Sequence, residues 1–222
     1  MNLSLAEENY LKSIFQLLDN SKERINTNSI AEKLQISAAT VTDMIRKLSD
    51  KKLLNYQKYY GVHLTAAGKK MAISIIRRHR LWELFLVEKL GFKWGEVHEI
   101  AEQLEHVKSD LLVERLYNFL GRPECDPHGD PIPDESGNFP LQRAIPLSDA
   151  KVNIRLQIAG VNYHETDFLD YLDERGLLPG KKIKVNEITQ FDRSMDIQMT
   201  GQKKTIHISH EVASKILVEA SA

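Results

Sequence analysis

Tyr10, Leu11, Ile14, Phe15, Leu17 and Leu18 fall on one side of a 3.6-residue repeat, so the chain opens with an amphipathic helix. Ser4 followed three residues later by Glu7 is a capping-box spacing that starts it. A shorter helix is expected over about 28–35, capped by Thr27 or Asn28, with Ile30, Ala31 and Leu34 inward. Ser37 caps a third helix, in which Val41, Ile45 and Leu48 recur at i, i+4 and i+7. Only Gln35-Ile36-Ser37 separates these two, the tight turn of a helix-turn-helix. Alternation then replaces helical spacing. Leu54, Tyr56 and Lys58 lead to a turn at Tyr59-Tyr60-Gly61, and Val62 and Leu64 return, which makes a hairpin wing. Thr65 caps a long helix of about 66–89, ended by Gly91, Trp94 and Gly95. A second long helix of about 96–119 carries Leu104, Leu111, Leu112, Leu116 and Phe119 on one face, and two helices this apolar imply a dimer interface.

Residues 121–148 are rich in proline and form a boundary or an ordered loop. Beyond them, Val152, Ile154, Leu156 and Ile158 alternate as a strand, and a short helix of about 164–174 follows. Leu178-Pro179-Gly180 turns into three further alternating runs: Ile183 and Val185; Met195, Ile197 and Met199; Ile206 and Ile208. A last short helix starts at His210. The fold class is therefore mainly α with small β parts: a winged helix-turn-helix over 1–64, a helical domain over 65–140 and a compact β-barrel over 150–222.

No run of apolar residues reaches the ~18 of a membrane span, and the N-terminus lacks the basic start and apolar core of a signal peptide. A single cysteine, Cys125, excludes an internal disulfide framework, so a reducing, cytoplasmic setting is expected. The net charge of −1 conceals a division. Residues 1–80 hold 14 Lys/Arg against 7 Asp/Glu, and 46–80 hold ten basic residues against Asp50 alone. A basic N-terminal third is the footprint of a protein that binds phosphate backbones.

Candidate chemistry sits in the helices that follow. His98, Glu102, Glu105 and His106 are spaced i, i+4, i+7 and i+8, one stripe of a continuous helix. His79 and Glu83 repeat the imidazole–carboxylate pairing at i, i+4. A single such pair is usually a helix-stabilising surface contact. A stripe of four without Lys or Arg, joined by a second pair, points instead to a metal site between helices. Carboxylate oxygens with imidazole suit manganese(II) or iron(II) better than thiolate-seeking ions. A helical di-metal carboxylate enzyme is the rival reading. It needs an E-x-x-H motif on each of two helices, and His79–Glu83 has the wrong spacing and order. A winged-helix regulator of an organic ligand would leave the acidic stripe unexplained.

Taken together, ENYLKSIF, IAEKLQIS-AATVTDMIRKL, LTAAGKKMA, RHRLWELFL, VHEIAEQLEHVKSD, DPHGDPIP and ETDFLDYL resemble the iron- and manganese-dependent repressors typified by the diphtheria toxin repressor and the manganese transport regulators. The resemblance spans nearly the whole chain. It implies a homodimeric, metal-activated regulator with a winged helix-turn-helix, a helical dimerisation domain and a small Src-homology-3-like barrel of the FeoA type. It also implies a primary metal site of Asn9, Glu102, Glu105 and His106. Asn9 departs from the Met or Asp usual at that position, and brings a carbonyl oxygen without charge. Glu102 stands where iron-selective members carry Cys and manganese-type members carry Glu, so manganese(II) is the expected co-repressor and iron(II) the alternative. A second site is implied at His79, Glu83 and His98 with Glu165, joined by Asp126 and His128 from the loop. The expected partner is double-stranded, pseudo-palindromic operator DNA. Ser37, Ala38, Ala39, Thr40 and Thr42 lie near the N-terminal end of the third helix, where base edges are read. Thr27, Asp43, Arg46, Lys47, Lys58 and Tyr60 complete the DNA-facing set.

Overall fold

The computed structural model describes residues 3–20, 25–57 and 61–221. It divides into two compact units, the first comprising Met1–His79, Glu102–Val113 and Pro133–Asn138, the second Arg80–Ala101, Glu114–Ile132 and Phe139–Ala222.

In the first unit, α1 (Leu5–Asn20) begins with the expected capping box. Ser4 N donates to Glu7 Oε2 at 2.8 Å, and Glu7 N donates to Ser4 Oγ at 3.3 Å. Helix α2 (Thr27–Leu34) starts one residue earlier than expected, because Asn26 is the cap and its Oδ1 accepts from Ser29 N at 2.9 Å. Gln35 ends it in the left-handed conformation, φ 53°. Ser37 then caps α3 (Ala38–Asp50), accepting from Thr40 N at 3.2 Å. Val41, Ile45 and Leu48 are buried as the period requires, against Leu11, Ile14 and Ile30. Strands β1 (Leu54–Gln57) and β2 (Gly61–Leu64) pair antiparallel as the wing, whose tip lies outside the described residues. Thr65 caps α4 (Ala66–Leu90) through Gly68 N. Gly68 is obligatory there, since a Cβ would sit 2.0 Å from Leu53 O.

The single helix expected over 96–119 is two helices, α5 (His98–Leu104) and α6 (Asp110–Phe119). Ser109 restarts the chain as a cap, accepting from Leu112 N at 3.3 Å. Glu105 and His106 therefore lie in the bend beyond α5, and the four-residue stripe is not one helical face.

In the second unit the expected barrel is a six-stranded antiparallel sheet, ordered β3-β8-β4-β5-β6-β7. Its strands are β3 (Ile145–Pro146), β4 (Arg155–Val161), β5 (Lys182–Ile188), β6 (Met195–Met199), β7 (Thr205–Ile208) and β8 (Ile216–Ala220). Helices α7 (Thr166–Glu174) and α8 (His210–Lys215) pack on it, and Leu156, Ile158, Phe168, Leu172, Ile183, Ile197 and Val218 share its core. The alternation of Val152 and Ile154 does not continue β4. Both are exposed, because Asn153 is left-handed, φ 65°, and gives its N–H to Val185 O. Strand β8 follows α8 without a turn residue to announce it. Its position between β3 and β4 comes from pairing.

Gly129 and Gly160 bring the proline-rich loop onto β4. A Cβ at Gly129 would lie 2.3 Å from Ala159 O, and one at Gly160 would lie 2.3 Å from His128 O. That close approach lets Val161 N donate to His128 O at 2.8 Å, which pins the loop beside His128.

Candidate metal centres and DNA-reading helix

The capping box sets where the first turns of α1 face. Glu8, Asn9 and Lys12 lie at i, i+1 and i+4, and the bend after α5 meets them. Glu8 and Lys12 are 4% and 5% exposed and Glu105 is fully buried, so these are charges withdrawn from water. Such burial is tolerated only with close partners. Lys12 Nζ donates to Glu102 Oε1 at 3.1 Å and to Glu105 at 2.8 Å. His79 Nδ1 shares a 2.6 Å hydrogen bond with Glu105 Oε2. His106 Nδ1 lies 2.7 Å from Glu8 Oε2, and Lys108 Nζ lies 2.7 Å from Glu8 Oε1. Burial pushes the Glu105 carboxyl up, but the His79 hydrogen bond and the Lys12 charge outweigh it and hold the group below the usual carboxylate range.

Asn9 Oδ1 is buried with no hydrogen-bond partner among the described residues. A buried acceptor left bare is costly. Three carboxylates, one imidazole and one amide oxygen are hard donor types, a chemistry that suits a divalent ion such as manganese(II) or iron(II). The family resemblance pointed to Asn9 from α1 and not to its neighbour Glu8. In sequence a Glu and a Lys at i, i+4, such as Glu8 and Lys12, are ordinarily a helix-surface contact.

The second unit holds another cluster. Glu83, Asp126 and His128 are all buried, and each offers a ligand atom within 4.8 Å of the others. His98 Nδ1 lies 3.4 Å from Glu83 Oε1, with the His98 ring exposed. His128 Nε2 donates to Trp94 O at 2.9 Å, and Nδ1 faces Glu83 at 3.8 Å and Asp126 at 3.9 Å. A carbonyl that fixes the tautomer of an imidazole is the usual support for a metal-binding histidine. Glu165 occupies the N-cap position of α7 from an exposed position and makes no side-chain cap bond. Its neighbour His164 contacts this cluster. The His164 ring centroid is 5.2 Å from that of His128, and its Nε2 is 3.7 Å from Asp130. Cys125 is exposed, one position before Asp126.

Burial, then the Glu83 and Asp130 charges, push the Asp126 carboxyl well above its ordinary range, against the pull of Arg80 at 3.8 Å. A carboxyl raised on folding contributes its full stability only at pH below its unfolded value, and loses it as pH rises through the folded value. Asp126→Asn should therefore stabilise the metal-free protein by roughly 1 kcal/mol or more at neutral pH. The gain should grow as pH rises above the ordinary carboxylate range. Denaturant titrations across that rise in pH check it, and a variant less stable than the parent throughout contradicts it.

On α3 the residues not used in the core are exposed: Ser37, Ala38, Ala39, Thr40, Thr42, Asp43, Arg46 and Lys47. Thr42 Oγ1 donates to Ala38 O at 2.8 Å, and Ser37 Oγ lies 2.8 Å from Thr40 Oγ1. An open cleft of about 650 Å³ between α3 and the wing is lined by Thr27, Thr42, Arg46, Asn55, Tyr56 and His63, of which the last three were not anticipated. Lys58 and Tyr60 lie outside the described residues.

Residues 2–62 match the iron-dependent repressor N-terminal DNA-binding domain, and 65–134 match the iron-dependent repressor metal-binding and dimerisation domain. Residues 145–220 match the FeoA domain. The iron-dependent repressor IdeR of Mycobacterium leprae (strain TN) is 30% identical over 96% of both chains. The chain belongs to the iron-dependent repressor family.

As a member of that family it is a metal-dependent, DNA-binding transcriptional repressor. A solved manganese-dependent transcriptional repressor in complex with manganese is 32% identical, covers 97% of this chain and 100% of its own, and superposes with a TM-score of 0.83. The structure of ScaR with bound zinc is 36% identical, covers 97% and 99%, and gives 0.73. No described helix is long and apolar enough to cross a membrane. The family resemblance drawn from the motifs thus holds across all three parts of the chain.

Proposed function

We propose that this repressor answers to manganese(II), with iron(II) as the alternative, and that it acts in the cytoplasm as a homodimer on a pseudo-palindromic operator of metal-uptake genes. The observation that carries the reading is the first cluster. Its donors, Glu8, Asn9, Glu102, Glu105 and His106, are hard oxygens and one imidazole, with no sulfur among them. The manganese-bound relative supports the same choice.

The proposed primary set is Asn9, Glu102, Glu105 and His106, with Glu8 added. The second set is His79, Glu83, His98, Asp126 and His128, with Glu165 or its neighbour His164. A divalent ion would supply the first set with two positive charges and a cross-link among its donors. The chain's own part is to couple that cluster to DNA. Helix α1 packs through Leu11 and Ile14 into the core that holds Val41 and Ile45 of α3. Drawing Asn9 and Glu8 toward Glu102 and Glu105 therefore fixes the posture of the reading helix. The coupling is only as large as the difference in how well the donors converge in the two states. Ser37, Ala38, Ala39, Thr40 and Thr42 would meet base edges or phosphates in the major groove, Arg46, Lys47, Lys58 and Tyr60 would hold the backbone, and Thr27 and Asp43 complete the DNA-facing set. Leu111, Leu112 and Phe119, exposed on α6, provide apolar surface for the dimer contact, within a domain taken as 65–140 between 1–64 and 150–222.

The test is operator binding titrated anaerobically with each ion, in the parent and in Glu102→Cys. Manganese should activate the parent at lower concentration than iron. The thiolate should shift the preference toward iron(II) and cobalt(II). A parent that responds equally to both metals, with Glu102→Cys unchanged, would remove Glu102 as the determinant of choice.

A further inference from the structure

Glu102 and Glu105 already share a cation belonging to the chain. Lys12 is 5% exposed, and its ammonium lies 3.1 Å from Glu102 and 2.8 Å from Glu105. Its helix places it one turn beyond Glu8 and three residues beyond Asn9, on the face of α1 that meets the donors. Of the other cations, Lys108 and Arg78 lie on Glu8, at 2.7 and 3.7 Å. Arg78 also donates to the backbone carbonyl of Glu105. Among these three cations of the described residues, it is Lys12 that joins the two carboxylates a metal would need.

We propose that Lys12 is a built-in competitor for the divalent ion, and that displacing its ammonium sets the metal concentration at which the repressor responds. The inference rests on the proposed primary site. Three carboxylates, Glu8, Glu102 and Glu105, crowd the cluster, and the single charge of Lys12 is shared between two of them. Lys12 matters most for Glu105, which is fully buried, because a buried carboxylate without any cation would be far worse. An incoming divalent ion offers twice the charge and takes the bare Asn9 oxygen as well. Lysine is suited to leaving, since its ammonium is a compact charge on a flexible four-carbon stem. A guanidinium would be held by its planar fork. The energy of removing Lys12 from its two partners is then subtracted from every metal-binding event. That subtraction places the response in a higher concentration range than the donor set would give unaided.

The experiment uses the full chain in an Asp126→Ala, His128→Ala background, so that manganese is read at the first cluster. Manganese is titrated calorimetrically into this parent, Lys12→Met and Lys12→Gln, and each is melted without metal. Both neutral variants should bind manganese about tenfold tighter or more, and melt lower when metal-free. Lys12→Arg, which keeps the charge, should gain nothing. If Lys12→Met does not fold without metal, Lys12→Gln, which retains a donor, carries the comparison. In the otherwise unsubstituted protein, labelling of Lys12 by a water-soluble amine reagent, read by peptide mass, should rise on adding manganese. Neutral variants with unchanged or weaker affinity, or a Lys12 that stays protected at saturating manganese, overturn the competitor role while leaving the metal site standing. A parent that binds no manganese overturns the site and the competitor together.

Discussion

Replacing Glu105 with glutamine is expected to abolish metal-activated operator binding, a loss of about 100-fold or more at saturating manganese, while leaving the protein folded. Glu105 is fully buried, and both Lys12 and His79 are bonded to it. Alanine at this position would strand the Lys12 ammonium away from one of its partners, and breaking a buried pair costs about 3–5 kcal/mol. An inactive Glu105→Ala protein would therefore not separate metal loss from unfolding. Glutamine keeps the shape and a hydrogen-bond acceptor for Lys12 and His79 while it removes the charge. His106→Ala is the companion variant. His106 is at the edge of the cluster, bonded to Glu8, which keeps Lys108 and Arg78 when the imidazole is gone. Fluorescence anisotropy with operator DNA, with and without manganese, gives the result, and thermal melting confirms the fold. Manganese-activated binding that survives undiminished in either variant removes this cluster from the regulatory role.

The second large effect is the dependence of DNA binding on salt. Ten basic residues over 46–80 imply a steep slope, but the structure assigns them unequal parts. Arg77 donates to Pro133 O, Arg78 to Glu105 O, and Arg80 lies on Asp126 and Asp130. Lys51 is bonded to Glu7 at 2.6 Å. Arg46, Lys47, Lys52, Lys69 and Lys70 remain exposed. If about six phosphates are neutralised per dimer, log affinity should fall against log salt with a slope of about −5, near a thousandfold between 50 and 200 mM. Lys47→Gln should make the slope shallower by about one for every phosphate that the lysine had neutralised, and Arg78→Gln should not act through the slope. A slope near zero for the metal-loaded protein would mean that the basic segment serves some other purpose.

Much of this protein was legible along the chain, wherever the determining contact closes within a turn or two. Ser4 and Glu7 bond reciprocally across three positions, and Ser37 holds Thr40 N in the same way. Val41, Ile45 and Leu48 are buried because a helical period leaves them no other face. The donor types at Glu102, Glu105, His106, Glu83 and His128 belong to the sequence itself, and so does the family match. Periodicity failed where a distant partner decided the matter. The stripe from His98 to His106 read as one helix, yet the chain bends at Glu105. There the carboxylate meets Lys12, 93 positions earlier, and His79, 26 positions earlier. Asn153 broke an alternation that Val152 and Ile154 had begun, and β8 exists because β3 and β4 leave room to pair with it. Glu8, Lys12 and His164 were invisible as site residues, because a charge on a helix or in a loop is ordinarily solvated. Only tertiary structure took Glu8 and Lys12 out of water, and a buried charge must find its counterion wherever the fold has brought one.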